Sequence, residues 1–236
     1  MTETPRQRAR IETEAQITAI GNRMIDDDGV DGLSLRAIAR ELGVVSSAVY
    51  RYVKSRDELL TILIRDAFMQ IADAVDEALA GERSVQVLAL TMLDWSRTYS
   101  NRWALIYGTP IAGYEAPREE TVVPGTRIMV ALAGLVAETC DDAEAAPERG
   151  EESKRSAAKG SRSSKGLRVA ESALQPLRDG LAELGLDYDD SVILETITVW
   201  VAVVGLINSL RFGQFGPGFE RLEDDLMSGV VGRLGA

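Results

Sequence analysis

The stretch SLRAIARELGVVSSAVYRYVKSR, running from Ser34 to Arg56, decides the fold. Ser34 is a good helix N-cap, and Leu35, Ile38, Ala39 and Leu42 follow it at the spacing of one helical face. Gly43 ends that helix, and Gly43-Val44-Val45 leaves room only for a tight turn. A second short helix is predicted from about Ser46 to Val53. Two short amphipathic helices joined in this way form a helix-turn-helix, here over residues 34–53. Ala39 is small, as close approach of the two helices requires, and Val44 and Val49 are expected to fill the space between them.

The outer face of the second helix offers Ser46, Ser47, Tyr50, Arg51 and Lys54 rather than apolar bulk. Hydroxyls and cations of this kind suit base edges and phosphates in the major groove. Ser34 and Arg36 open the preceding helix, where unpaired N–H groups and the positive end of the dipole favour a phosphate. Arg56 opens the following helix and is placed to hold the backbone from the other side. Spacing alone fits a two-helix corner of some other all-α protein equally well.

Outward from this motif, nearly every periodic segment reads as helix. Ile17, Ile20, Met24 and Ile25 recur at helical spacing, and Asp26-Asp27-Asp28-Gly29 stops them, with Gly29 suited to a left-handed cap. Ahead of them, Arg6, Arg8 and Arg10 give the start of the chain a polar, cationic character unlike a signal peptide. Ser55-Arg56-Asp57-Glu58 reads as a capping box. The helix it opens shows an apolar face of Leu59, Leu63, Ala67, Ile71, Val75 and Leu79 and ends at Gly81. Further helices are predicted at about 84–100, 119–139, 189–212 and 218–234, with Pro110 breaking the run that begins at Trp103. Residues 141–166 lack large apolar groups and read as a flexible loop; their Lys154, Arg155, Lys159, Arg162 and Lys165 read as a solvated linker.

Composition narrows the function. The formal net charge of −11 argues against general nucleic-acid coating, so any DNA-facing surface must be local. The chain has no histidine, which removes the commonest general base and transition-metal ligand. No phosphate-cradling glycine loop, metal-ligand spacing or nucleophile elbow is present in the sequence, so neither an enzyme nor a cofactor is expected. The single cysteine, Cys140, cannot form an internal disulfide and suits a reducing cytoplasm. Val192 to Leu210 is long enough to tempt a membrane assignment, but Glu195, Thr196, Thr198, Asn208 and Ser209 interrupt it, and a buried helix is the better reading.

Residues 11–71 resemble the TetR family of transcriptional regulators. The resemblance rests on Gly29-x-x-Gly32-Leu33-Ser34-Leu35-Arg36-x-Ile38-Ala39, then Leu42-Gly43-Val44, then Val49-Tyr50-x-Tyr52-Val53-Lys54-Ser55-Arg56-x-Glu58-Leu59-Leu60. It implies that Tyr50 and Arg56 hold phosphates and that the helix before Tyr50 reads bases. The DNA-binding set is then Ser34, Arg36, Val45, Ser46, Ser47, Tyr50, Arg51, Tyr52, Lys54 and Arg56. Three positions depart from the family pattern. Val45 replaces a serine or threonine cap, so Ser46 is expected to cap one residue later; Tyr52 replaces histidine and Lys54 replaces proline.

Residues 72–236 resemble the ligand-binding and dimerising half of such regulators, of the WHG type, through Trp103 to Pro117 and through Trp200, Gly205, Leu206, Phe212, Gly213 and Phe215. Val204 stands at the histidine that helps name that domain, so no ligand contact carries over from it. Met92, Trp95, Tyr99, Trp103, Tyr107, Met129 and Trp200 are the candidates to line a cavity for a small, mostly apolar effector; ordinary core is the competing reading. Val199, Val203, Leu206, Ile207 and Leu210, with Phe219, Leu222, Leu226 and Val230, suggest a two-fold four-helix interface. The expectation is an all-α homodimer: an N-terminal three-helix domain on a larger helical bundle, binding a palindromic operator as a ligand-responsive repressor. A constitutive regulator without an effector and a protein-interaction module are the rivals.

Overall fold

The computed structural model describes residues 4–145 and 171–235. Among them are ten α-helices and no strand. Most of the predicted loop at 141–166 lies outside the described residues; its first five, 141–145, continue a helix.

The N-terminal unit begins earlier than the apolar periodicity suggests. Helix α1, Pro5–Asp28, is opened by a capping box in which Thr4 Oγ1 accepts from the Gln7 N–H at 3.3 Å and the Thr4 N–H donates to Gln7 Oε1 at 2.9 Å. Arg6, Arg8 and Arg10 therefore lie on exposed helical turns rather than on an irregular arm. Gly29 follows with φ 67° and ψ −163°, so it takes the positive φ expected but leads into extended backbone and a 3₁₀ turn, Val30–Gly32, rather than into a left-handed cap. Helix α2, Leu35–Glu41, is capped by Ser34, whose hydroxyl accepts from the Ala37 N–H at 3.4 Å. Gly43, at φ 69°, makes the turn that a side chain would strain.

Helix α3, Ser46–Val49, is shorter than expected. Its winding continues to Val53 through tighter bonds, Arg51 N–H to the Ala48 carbonyl at 3.3 Å and Tyr52 N–H to that of Val49 at 2.9 Å. Val45, not Ser46, occupies the N-cap, and no side chain caps this helix. Val49 and Val53 fill the space against α2, whereas Val44 is 44 % exposed and does not. Helix α4, Arg56–Gly81, starts at Ser55, whose hydroxyl accepts from the Glu58 N–H at 3.0 Å. The Glu58 carboxylate reaches back one residue beyond the usual box, to the Lys54 N–H at 2.5 Å.

Two cores meet on α4. Leu59, Leu60 and Leu63 belong to the N-terminal core with Ile17, Ile25, Ile38 and Val49. From Ala67 onward, α4 faces a second core built by α5 (Val85–Thr98), α6 (Ser100–Tyr107), α7 (Arg118–Ala145), α9 (Asp190–Arg211) and α10 (Glu223–Leu234). The run from Trp103 is thus the end of a short helix, which stops at Gly108 ahead of Pro110. Helix α8, Glu171–Glu183, is not legible in the periodicity: Pro176 and Gly180 interrupt it, and its Leu174 is buried while Leu177 stays 41 % exposed. The start of α9 is fixed by Asp189, whose carboxylate accepts from the Ser191 and Val192 N–H groups, each at 2.9 Å. These bonds hold its acid below the usual carboxylate range.

Gly21 lies where α1 crosses α4. A Cβ there meets the buried Leu63 side chain at 3.0 Å. Gly21→Ala should be close to neutral, because the gain in helix propensity of about 1 kcal/mol offsets a small shift of Leu63. Gly21→Val should destabilise by about 1–3 kcal/mol in urea unfolding, because a branched side chain asks a larger shift of the fully buried Leu63.

Candidate nucleic-acid interface and effector cavity

The helix-turn-helix presents one open face. Arg36 on α2 and Val45, Ser47, Tyr50, Arg51 and Lys54 along and after α3 are all exposed. Ser47, Tyr50, Arg51 and Lys54 follow at intervals of three, four and seven residues from Ser47, so they share a helical side. Ser46 is half-buried. Tyr52 points elsewhere: it packs on the N-terminal core and lines a small groove with Thr13, Gln16 and Ile17 of α1. Ser34 uses its hydroxyl as a cap. Arg56 donates to the Val30 carbonyl at 2.7 Å, tying the α1–α2 connection to the start of α4. A guanidinium has five donors, so this bond leaves Arg56 others to offer.

The two units are joined by a buried polar knot. Arg102 of α6 is 8 % exposed. Its Nε donates to Asp26 Oδ1 of α1 at 2.8 Å, its Nη2 to Asp26 Oδ2 at 2.5 Å, and its Nη1 to Gln70 Oε1 of α4 at 2.7 Å. The guanidinium also stacks 4.6 Å from the Tyr99 ring centroid. Gln70 and Asn22 both donate to Asp66 Oδ2 at 2.6 Å, and Asn101 donates to the Asp26 carbonyl at 2.9 Å. The next residue on α6 faces the other way. Trp103 is fully buried and its indole N–H donates to Asn208 Oδ1 of α9 at 2.9 Å. Helix α6 therefore holds the DNA-facing unit on one side and α9 on the other.

An open cavity of about 500 Å³ is bounded by α4, α6, the loop after α6 and the start of α7. Ile64, Phe68, Leu105, Ile106, Ile111 and Val122 give it mostly apolar walls. Tyr114, also on its wall, hydrogen-bonds Thr61 of α4 at 2.9 Å. Burial, with Asp57 and Glu120 nearby, pushes the Tyr114 phenol up despite that bond. The wall residues were not found from the sequence; the one signal was the glycine- and proline-rich loop from Gly108 to Pro117.

The aromatic candidates lie behind this cavity rather than on it. Trp103, Tyr107 and Trp200 do come together: the Tyr107 ring is 4.5 Å from Trp103, and 5.8 Å from both Trp200 and Phe68. Trp95 and Tyr99 pair at 5.3 Å. Met92, Trp95 and Trp103 are buried in the second core. Met129 lies apart, on a small apolar pocket with Leu177, Leu181 and Ile193. Buried Tyr107 Oη has no hydrogen-bond partner among the described residues, and burial pushes this phenol well above its ordinary range.

Helix α9 remains apolar where it is open. Val192, Val199, Val203 and Ile207 face the core of this chain, so Val199, Val203 and Ile207 are not free for an interface. Val201 is 62 % exposed, and Phe212, Phe215 and Leu222 are each nearly half exposed. By length and composition, α9 and the Arg118–Cys140 part of α7 could cross a bilayer.

A helix-turn-helix carried on a helical body with an open apolar cavity points to a DNA-binding transcriptional regulator. The chain belongs to the TetR family: residues 17–61 match the model of bacterial regulatory proteins of the tetR family, and residues 85–234 match the tetracyclin repressor-like C-terminal domain. It is 40 % identical over 222 residues to the HTH-type transcriptional regulator Rv1816 of Mycobacterium tuberculosis, covering 89 % of this chain and 86 % of that one. The regulator Mb1846 of Mycobacterium bovis matches to the same extent, with 40 % identity over 89 % of this chain and 86 % of its own. Among solved structures, the regulatory protein SCO4313 superposes with a TM-score of 0.73 at 26 % identity, covering 98 % of both chains. FadR of Bacillus subtilis, solved with stearoyl-CoA, shares the fold with a TM-score of 0.58 at 14 % identity, over 92 % of this chain and 97 % of that one.

The Arg102–Asp26 pair should be strongly coupled. Arg102→Leu or Asp26→Asn alone should destabilise by about 2–3 kcal/mol, less than for a fully buried pair because the Asp26 side chain is 30 % exposed. The double variant should lose clearly less than the sum of the two. Additive losses in urea unfolding would mean that the pair holds nothing together.

Proposed function

We propose that this protein is a cytoplasmic, homodimeric repressor that binds a palindromic operator and releases it when a mostly apolar effector occupies the cavity between α4, α6 and α7. The observation that carries the reading is shared support. The cavity wall and the Arg102–Asp26 knot use the same two helices, α4 and α6, so an occupant of one acts on the other. Phe68 lines the cavity and also meets Tyr107 edge-on. Turning Phe68 lets an effector reach the unpartnered Tyr107 hydroxyl with one polar group while its apolar part fills the cavity. The acyl chain of the stearoyl-CoA held by FadR supports an effector with a long apolar part on this fold. The effector acts only through its differential affinity for the two arrangements of the subunits.

The exposed apolar side of α9, with Val201 and the neighbouring Phe212 and Phe215, supports dimerisation. A two-fold dimer sets two recognition helices about one DNA turn apart, roughly 34 Å. In each, Arg36, Tyr50, Arg51, Lys54 and the spare donors of Arg56 hold phosphates, and Val45, Ser46 and Ser47 meet base edges. Tyr52, which faces α1, shapes the motif and reaches DNA only at its rim. One observation favours a constitutive regulator instead: Met92 and Trp103 leave no space around themselves.

Selection from random duplex DNA with the purified protein should recover an inverted repeat. On that site Lys54→Ala should weaken all sequences alike and lower the slope of log affinity against log salt by about 1. An unchanged slope removes Lys54 from the phosphate contacts. Val122→Asp, which puts a carboxylate on the apolar wall, should keep operator affinity and weaken release by any apolar effector found. Release that persists unchanged in Val122→Asp places the effector elsewhere.

A further inference from the structure

Val45 is the residue on this surface that the fold does not explain. It sits at the N-cap of α3, where serine, threonine, aspartate or asparagine would stabilise the helix, and it makes no cap bond. It is not core either, because it is 71 % exposed, the largest exposure among the exposed large hydrophobic side chains. Val44 beside it is 44 % exposed, so the turn ends in an apolar tip. Around that tip the surface is polar and cationic: Ser47, Arg51 and Lys54 follow on the helix, and Arg36 stands on α2. A lone apolar tip inside a cationic frame does not fit a protein surface partner, whose apolar contact would be broader. It fits the floor of the major groove, where the thymine C5-methyl is the one apolar group among donors and acceptors.

Resting on the reading that this helix face enters the major groove, we propose that Val45 is a specificity-determining residue that selects thymine in each operator half-site by packing on its C5-methyl. Three features of the sequence sharpen the assignment. The residues at the leading end of the helix, Val45, Ser46, Ser47 and Ala48, include no arginine, lysine, asparagine or glutamine. Bidentate reading of guanine or adenine is therefore absent from that end. Hydroxyls pair with either base, so Ser46 and Ser47 add reach without much discrimination. Methyl contact by Val45 then carries the choice of base at the point where the helix tip touches the groove.

The test uses the full-length protein and the duplex recovered by selection. Each thymine of the half-site is replaced in turn, symmetrically in both halves, by deoxyuridine, which removes the methyl and nothing else. Affinities are measured by fluorescence anisotropy for the wild type and for Val45→Ala, with circular dichroism confirming that both are folded. At one thymine per half-site, loss of the methyl should weaken the wild type about four-fold per half-site, or about fifteen-fold for both. The same substitution should cost Val45→Ala clearly less, because only its Cβ remains to meet the methyl. Placing 5-methylcytosine at that position should recover part of the wild-type affinity that unmodified cytosine loses. Equal penalties in wild type and Val45→Ala at every thymine overturn the assignment while leaving DNA binding intact. Failure of the wild type to bind any selected duplex overturns the groove reading, and this inference with it.

Discussion

The two helical units share α4, and one buried guanidinium fixes how α6 sits against it and against α1. Arg102 is a charge held almost out of water, and a charge there is tolerated only when its donors are met. Asp26 of α1, Gln70 of α4 and the Tyr99 ring at the α5–α6 junction meet it from three sides. The consequence is geometric. Arginine presents a rigid planar fork, so the partners fix the rotation of α6 against α1 and α4 as well as their distance. A sliding apolar contact would hold the units together but would leave them free to rotate. The opposite side of the same short helix is pinned by Trp103 to Asn208 of α9, so α6 cannot move without disturbing either the DNA-facing unit or the helix proposed to meet a second copy.

Position follows from this arrangement. The cavity shares α4 and α6 with the knot, and its Tyr114 wall is bonded to Thr61 on the DNA-facing half of α4. Under the proposed mechanism, an occupant presses on helices whose relative orientation the knot already fixes. Packed helical cores respond to such pressure by switching between discrete arrangements rather than by gradual deformation. A second ionic contact lies within the body: Glu223 at the start of α10 is buried between Arg97 of α5 and Arg211 of α9 and ties those three helices together.

The sequence was most legible where a local rule sufficed. The caps at Ser34 and Ser55, the turn at Gly43 and the apolar face of α4 from Leu59 to Leu79 depend on neighbours within a turn of helix, and the structure shows each of them. Where tertiary contact decides, periodicity was silent or misleading. Val44 and Val49 look alike in the sequence, yet only Val49 is covered, because the turn at Gly43 points Val44 outward. Ser46 could cap α3 by type, but the helix begins at that residue and leaves the cap position to Val45. Helix α8 carries a proline and a glycine that local reasoning rejects. Of the residues expected to line a cavity, Trp103, Tyr107 and Trp200 come together, but the open space lies beside them, along a loop with no periodicity to read.

Charge placement completes the logic of recognition. Between Ser34 and Arg56 the chain carries five cations and one carboxylate, a local charge of +4 within a chain of −11, so the remainder carries −15. At physiological ionic strength the screening length is about 8 Å, so distant carboxylates hardly weaken the contacts of Arg51 or Lys54 with phosphates beside them. They act instead on loosely held encounters, in which the body as a whole approaches the polyanion and is repelled. An acidic body with a small cationic reading surface thus lowers non-specific adhesion more than it lowers docked binding. That difference raises the share of recognition left to short-range fit at the helix tip, where Val45 stands apolar and uncapped among the charges.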